Sequence, residues 1–284
     1  MKRLALLPRW CLLTAAGCVV VGALLSASAL AQFRRGRGDE MDRSQYPQWE
    51  LEPEFEEDCF TFVRIRFDSY GGRGRGGGSW ANDFPDSDWN FSYRLQQLTS
   101  LQVDPNGKVL RLTDDELFNY PFIFMSNVQG ISLSRAEEEA LAAYLRGGGF
   151  LMADDFWSPS AWEHVKQVMK QVLPNCEPRE LTIDHEIFHN VYNFETIPRV
   201  LSIRAWERGL DYEDWHPWNG SMDRGPHFQG YFDEQGRMMA LFCHNSDVGD
   251  GWEREGENHE FFRDFSVKVS YPLGINIITY AMTH

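Results

Sequence analysis

Short apolar runs alternating with amphipathic segments predict an α/β fold, a doubly wound and mostly parallel sheet with helices on both faces. Three observations carry this reading. From Cys59 to Val172 the chain reads strand, helix, strand, helix, strand, helix, strand, helix. Residues 150–153 (F-L-M-A) are apolar throughout, as in a strand covered on both sides rather than one with a wet face. The chain has 284 residues and 43% hydrophobic content, enough for one large core.

The elements follow in order. Residues 59–67 (C-F-T-F-V-R-I-R-F) place Phe60, Phe62 or Val63, Ile65 and Phe67 at strand spacing, with Arg64 and Arg66 flanking the exposed side. Asp68 stands at the carboxyl end of that strand. A glycine run comes next, with G-x-G-x-x-G at Gly72, Gly74 and Gly77. In a dinucleotide fold the last glycine opens the helix that carries the pyrophosphate, whereas here residues 80–88 intervene, so the run reads as a mobile surface loop. A helix starting near Asp86 or Asp88 runs through Phe91, Leu95 and Leu98. Residues 109–112 form a short strand, Thr113 to Glu116 a capped turn, and residues 121–125 a buried strand ending at Ser126 and Asn127.

Residues 136–145 repeat apolar side chains at helical spacing, with Ser132 or Ser134 as cap and acids in the first turn. Gly147 to Gly149 stop that helix, and the 150–153 strand leads onto Asp154 and Asp155. Residues 161–172 form an amphipathic helix ended by Pro174. Beyond it, strands are expected at residues 178–184, 200–205 and 238–243. Residues 206–230 read as an aromatic-rich insertion, and a final helix contains Pro272, Leu273 and Ile275 to Ile278.

Lys2, Arg3 and Arg9 precede an apolar run that ends A-L-A at residue 31, which reads as a secretory signal peptide. A retained membrane anchor is the alternative, since the run approaches bilayer-spanning length. Residues 32–57 form a flexible leader, basic then acidic, and residues 58–284 one α/β domain. The expected setting is periplasmic or extracellular. Loss of the signal peptide's three basic residues moves the formal charge from −15 to −18, a surface that repels nucleic acid and anionic lipid. Only Cys59, Cys176 and Cys243 remain after processing, which excludes a disulfide-framework fold.

Five segments carry a resemblance: W-A-N-D-F-P-D-S-D-W-N-F (80–91), Y-L-R-G-G-G-F-L-M-A-D-D-F (144–156), H-E-I-F-H (185–189), H-N-S-D-V-G-D-G-W-E (244–253) and Y-P-L-G-I-N-I-I-T-Y-A-M (271–282). Together they resemble the bacterial family called domain of unknown function 4159, over about residues 58–284. That family is similar in fold to the class I glutamine amidotransferase-like group, so the resemblance implies a flavodoxin-like sheet and export, with no established reaction. The amidotransferase nucleophile needs a G-x-C-x-G turn after the central strand. This chain has Asp154-Asp155 there, and it has no G-x-S-x-G.

Three constellations compete. His185-Glu186-Ile187-Phe188-His189 matches H-E-x-x-H, which on a helix sets His185 and His189 on zinc with Glu186 as general base. Glu207 or Glu213 would then be the distant ligand. The strand ends collect Asp68, Ser126, Asn127, Asp154, Asp155, His244, Asn245 and Asp247, groups that suit a hard cation or the hydroxyls of a sugar, and that also cap helices. His185 joins them as a polar residue at the site edge. Nine tryptophans of the exported chain, Trp80, Trp157, Trp215, Trp218 and Trp252 among them, pack the core and loops or stack on sugar rings. The expectation is an envelope-associated binding or assembly module, non-catalytic because the nucleophile is missing. A zinc-dependent hydrolase and a carbohydrate-binding or carbohydrate-processing protein are the alternatives. No organic cofactor is expected; zinc or another divalent cation, an envelope protein, a small molecule or a glycan are the partners such groups admit. Within the acidic pair, Asp155 is expected to face the cleft and Asp154 to cap the helix over residues 158–172.

Overall fold

Apolar side chains on alternate strand positions sort to two sides of one sheet, and helices cover both. The computed structural model describes residues 46–55, 58–70, 80–214 and 221–284. The segment expected to be a signal peptide, most of the expected leader, the glycine run and Trp215 and Trp218 therefore lie outside the described residues. Seven strands form the main sheet in the order β3 (Lys108–Leu110), β1 (Val63–Ile65), β4 (Phe122–Ser126), β6 (Phe150–Phe156), β9 (Met238–His244), β8 (His227–Phe232) and β7 (Arg179–Glu180). The first five are mutually parallel, and β8 and β7 complete one edge antiparallel. A separate two-strand ribbon pairs β2 (Asp68–Ser69) with β5 (Ile131–Ser132). β6 lies in the middle of the sheet, as its unbroken apolar run predicts.

On one side Val63, Ile65, Ile123, Met125, Leu151 and Ala153 pack against α2 (Arg135–Arg146) and α3 (Pro159–Val172). On the other, Phe62, Phe122, Phe124, Phe150 and Met152 pack against α1 (Asp86–Leu98) and the carboxyl-terminal helix over Tyr271–Thr283. α1 begins at Asp86, as expected. Ser134 caps α2: its side chain accepts from the Glu137 amide while Glu137 reaches back to the Ser134 amide, a reciprocal capping box. The three glycines after α2 serve different needs. Gly148 adopts φ +111, whereas Gly149 is required by crowding, because a Cβ there would fall 2.3 Å from the Tyr144 ring. Gly149→Ala is expected to cost about 1–3 kcal/mol in urea denaturation, since the Tyr144 ring is held by its hydroxyl hydrogen bond to Tyr120 O.

Three expectations are corrected. Residues 200–205 do not form a strand; Ser202 accepts from the Ala205 amide and starts a short helix, α4 (Ile203–Glu207). β6 runs on through Asp154 and Asp155 to Phe156 instead of stopping at Ala153. Arg64 does not flank an exposed face. It is fully buried on the Phe124 side, because Asp88, Ser87 and the carbonyls of Trp80 and Asn82 satisfy its guanidinium. Cys59, Cys176 and Cys243 are free thiols. No helix among the described residues is long and apolar enough to cross a membrane.

Candidate functional site

Two residues, Asp154 and Asp155, occupy the stretch of β6 where the register to β9 shifts. Ala153 pairs with Phe242 and Phe156 with His244, so two residues oppose Cys243 alone. Such a bulge bends the strand and re-aims its side chains. Asp155 takes φ +53 there, in the left-handed region that costs a non-glycine residue about 1–3 kcal/mol. Asp83, Asn127, Ser158 and Asn245 are the other non-glycine residues with positive φ among the described residues, and all belong to the same rim. Asn and Asp accept the left-handed conformation better than other side chains, which accounts for all of these except Ser158.

The two acids diverge. Asp155 Oδ2 accepts from Asn82 Nδ2 at 2.6 Å and Asn127 Nδ2 at 2.8 Å, and its Oδ1 accepts from the Trp157 indole at 2.9 Å. Asp154 Oδ2 accepts from the Gly249 amide at 2.8 Å, in the first turn of α5 (Val248–Glu253). The capping acid therefore serves α5 and not the helix after residue 158, contrary to expectation, because the bulge turns Asp154 toward the loop after β9. Asp154 Oδ1 is buried without a hydrogen-bond partner.

Around this pair stand Asp83, from the loop between β1 and α1, and Asp247, Asp250 and Glu253 from the segment after β9. Asp247 caps α5 by accepting from the Asp250 amide at 3.0 Å. Asp250 accepts from the Ile203 amide and from Arg254 Nε. One carboxylate oxygen from each of Asp83, Asp155 and Asp247 lies within 4.8 Å of the others, and Asp83, Asp250 and Glu253 form a second such group. Burial, reinforced by the neighbouring carboxylates, pushes Asp83 and Asp247 well above the usual carboxylate range. For Asp154, burial outweighs the Gly249 amide in the same sense. Burial raises Asp155 to about 6 despite its three donors, and raises Glu253 to about 7. Glu213 accepts from the Ser202 amide and is pushed by burial to about 7.

Of the residues proposed from sequence, Asn127, Asp154, Asp155 and Asp247 come together here. His244 and Asn245 support the rim from behind. His244 Nε2 donates to Ser158 O at 2.9 Å, Asn245 Oδ1 accepts from the Ser158 amide at 3.0 Å, and burial lowers His244 to about 4, so it is neutral. Asp68 is elsewhere, exposed on β2 and 3.8 Å from Arg111.

The H-E-I-F-H segment does not form a zinc-binding helix. Glu186–Phe188 is a single 3₁₀ turn, so His185 and His189 do not stack one α-helical turn apart. His185 Nδ1 accepts from the Ile187 amide, and both ring nitrogens of His189 are engaged, by Asn193 Oδ1 and Ile183 O. Trp157 and Trp252 are core residues. Trp157 packs on Leu201 and Ala205, and Trp252 stacks on Phe91 at 4.3 Å.

Asn82, Asp83, Asp250 and Glu253 were missed because each sits in a loop or short helix whose acids read as ordinary caps. A signal was present: both segments, 80–91 and 244–253, hold an unusual density of Asn and Asp after a strand. A search of curated proteins finds no match to this chain. The model of the family described as Domain of unknown function (DUF4159) matches residues 61–282, and the chain belongs to that family.

Proposed function

We propose that this protein is an exported, envelope-associated binding module on a flavodoxin-like, amidotransferase-type sheet whose nucleophile position holds an acid, and that its ligand site is the acidic rim around Asp155. Taken in chain order, the five parallel strands run 2-1-3-4-5, the flavodoxin-like order, whose ligand crevice lies beyond the carboxyl ends of the first and third strands. Asp83 follows the first of these and Asn127 the third.

The observation that carries the reading is Asp155 itself, held at φ +53 in the central strand by three neutral donors. A covalent catalyst at an elbow needs a nucleophile and a base to activate it. Here His244, on the neighbouring strand β9, is spent on Ser158 O, and Cys243 beside it is buried with its thiol pushed up by desolvation. A positioned carboxylate with amide neighbours suits recognition of hydroxyls or cations rather than acyl transfer.

The test pairs a turnover assay with a binding assay. Purified protein is expected to show no hydrolysis of glutamine or of p-nitrophenyl esters. In a panel of chitooligosaccharides and soluble peptidoglycan fragments, at least one is expected to raise the melting temperature saturably, with the rise abolished by Asp155→Asn. Turnover that disappears in Asp155→Asn would replace this reading with an enzymatic one. Export is checked by N-terminal sequencing of the protein recovered outside the cytoplasm, expected to begin near Gln32; a retained Met1 would indicate an anchored protein.

A further inference from the structure

We propose that the acidic rim is a binding site for a hard divalent cation of the calcium, manganese or magnesium type, with Asp83, Asp155 and Asp247 as its carboxylate ligands. The inference rests on placing the ligand site at this rim. Ligands on opposite sides of a calcium ion stand about 5 Å apart, twice a metal–oxygen distance of about 2.4 Å. The mutual 4.8 Å limit met by one oxygen from each of the three aspartates is thus the span of a single coordination shell.

An acidic cluster alone would not carry this, and Asp154 supplies an independent observation. Its side chain is fully buried, yet Oδ1 has no hydrogen-bond partner. A carboxyl oxygen buried out of water without a partner is costly to leave unsatisfied. Its carboxyl belongs to the same space. The point where a Cβ on Gly249 would sit lies 3.0 Å from Asp83 Oδ2, 3.7 Å from Asp154 Oδ2 and 3.9 Å from Asp247 Oδ1. Three carboxylates from three separate segments thus surround a position that the absence of a side chain keeps open.

Among the described residues no protein cation contacts these carboxylates directly, and Arg64 acts on Asp83 only from a distance. No Lys, Arg or His among the described residues forms an ion pair with Asp83, Asp154, Asp155 or Asp247. Arg64 is committed to Asp88, and Arg254 to Asp250, Glu253 and Glu257. The donors facing Asp155 are neutral amides and an indole, which orient a carboxylate without cancelling its charge, the role of partners behind a metal ligand. The donor set is all oxygen, because the His244 ring faces Ser158 O and stacks on Phe156 and Trp162. Oxygen donors select hard ions over zinc.

The test uses the full-length chain after chelation, titrated separately with CaCl2, MnCl2 and MgCl2 at pH 7.5. Calorimetry and melting temperature are expected to show saturable one-site binding of at least one ion. Gly249→Ala, which puts a methyl group 3.0 Å from Asp83 Oδ2 so that this carboxylate has to shift, and Asp83→Asn are each expected to weaken it tenfold or more. The exposed control Glu177→Gln is expected to leave it unchanged. If manganese binds, its electron paramagnetic resonance lines broaden with the same stoichiometry. No saturable binding of any of the three ions, or undiminished binding in both rim variants, would overturn the proposal. Because the readout takes the metal alone, such a failure leaves the glycan-binding result intact, and the reverse holds equally.

Discussion

Arg64→Leu is expected to destabilise the fold by about 3–5 kcal/mol, the usual cost of removing one partner from a buried ion pair. Arg64 is fully buried on β1, its Nε lies 2.9 Å from Asp88 Oδ2, and its two terminal nitrogens reach Ser87 Oγ and the carbonyls of Trp80 and Asn82. Leucine would fill part of the volume but leave Asp88 charged and dry. Lysine would do little better, since one ammonium cannot reproduce a planar fork bonded on several sides. The effect extends to the rim, because the carbonyls that Arg64 holds belong to the loop presenting Asn82 and Asp83. Urea denaturation and limited proteolysis near residue 82 check both parts. The double variant Arg64→Leu, Asp88→Leu is expected to recover part of the loss. A single-variant loss below about 1 kcal/mol would mean that Arg64 is not the organiser of this loop.

In chelating buffer the protein is expected to lose stability as pH rises from about 5 to about 7.5. The sign follows from linkage. Asp155, raised from 3.8 to about 6, and Glu213 and Glu253, each raised from 4.5 to about 7, keep protons in the native state that the unfolded chain has released. Where the native state binds more protons, stability falls with increasing pH, by up to ~1.4 kcal/mol per pH unit for each such group. Asp83, Asp154 and Asp247 shift in the same direction. His227, raised by Glu180, adds to the fall. His244 opposes it: with its native value lowered from 6.5 to about 4, it favours the folded state increasingly as pH rises between those values. His244 thus offsets part of the decline up to and through pH 6.5, and is neutral in both states only above about pH 7.5. Melting temperatures measured from pH 5 to 8 check it, and Glu253→Gln is expected to flatten the curve. A melting temperature that rises over that interval would show that these carboxylates ionise without cost.

The three aspartates at the centre of this site, Asp83, Asp155 and Asp247, stand 70 or more positions apart in the chain, and that separation divides what was legible from what was not. Apolar runs at residues 121–125, 150–153 and 238–243 foretold β4, β6 and β9 in one mostly parallel sheet, because burial on both faces leaves a local mark in composition. Ser134 and Glu137 marked the start of α2 for the same reason, since a cap involves residues only three apart. The H-E-x-x-H pattern misled because it has meaning only on an α-helix, and Leu181 to Asp184, leading in from the sheet edge, leave room for a single 3₁₀ turn.

Sequence alone determined the positions of β4, β6 and β9, the α/β class and the accumulation of acids at strand ends, all of which follow from the chemistry of neighbouring residues. Tertiary structure decided the rest. The bulge at Asp154 and Asp155 arises from register against β9, nearly ninety residues later in the chain, and it sends the two carboxylates different ways. Arg64 reads as an exposed strand residue until the 80–88 loop folds over it and supplies acceptors for its guanidinium. Asp83, Asp155 and Asp247 share one pocket only because three parallel strands end on the same edge, a fact of sheet order that no local pattern encodes.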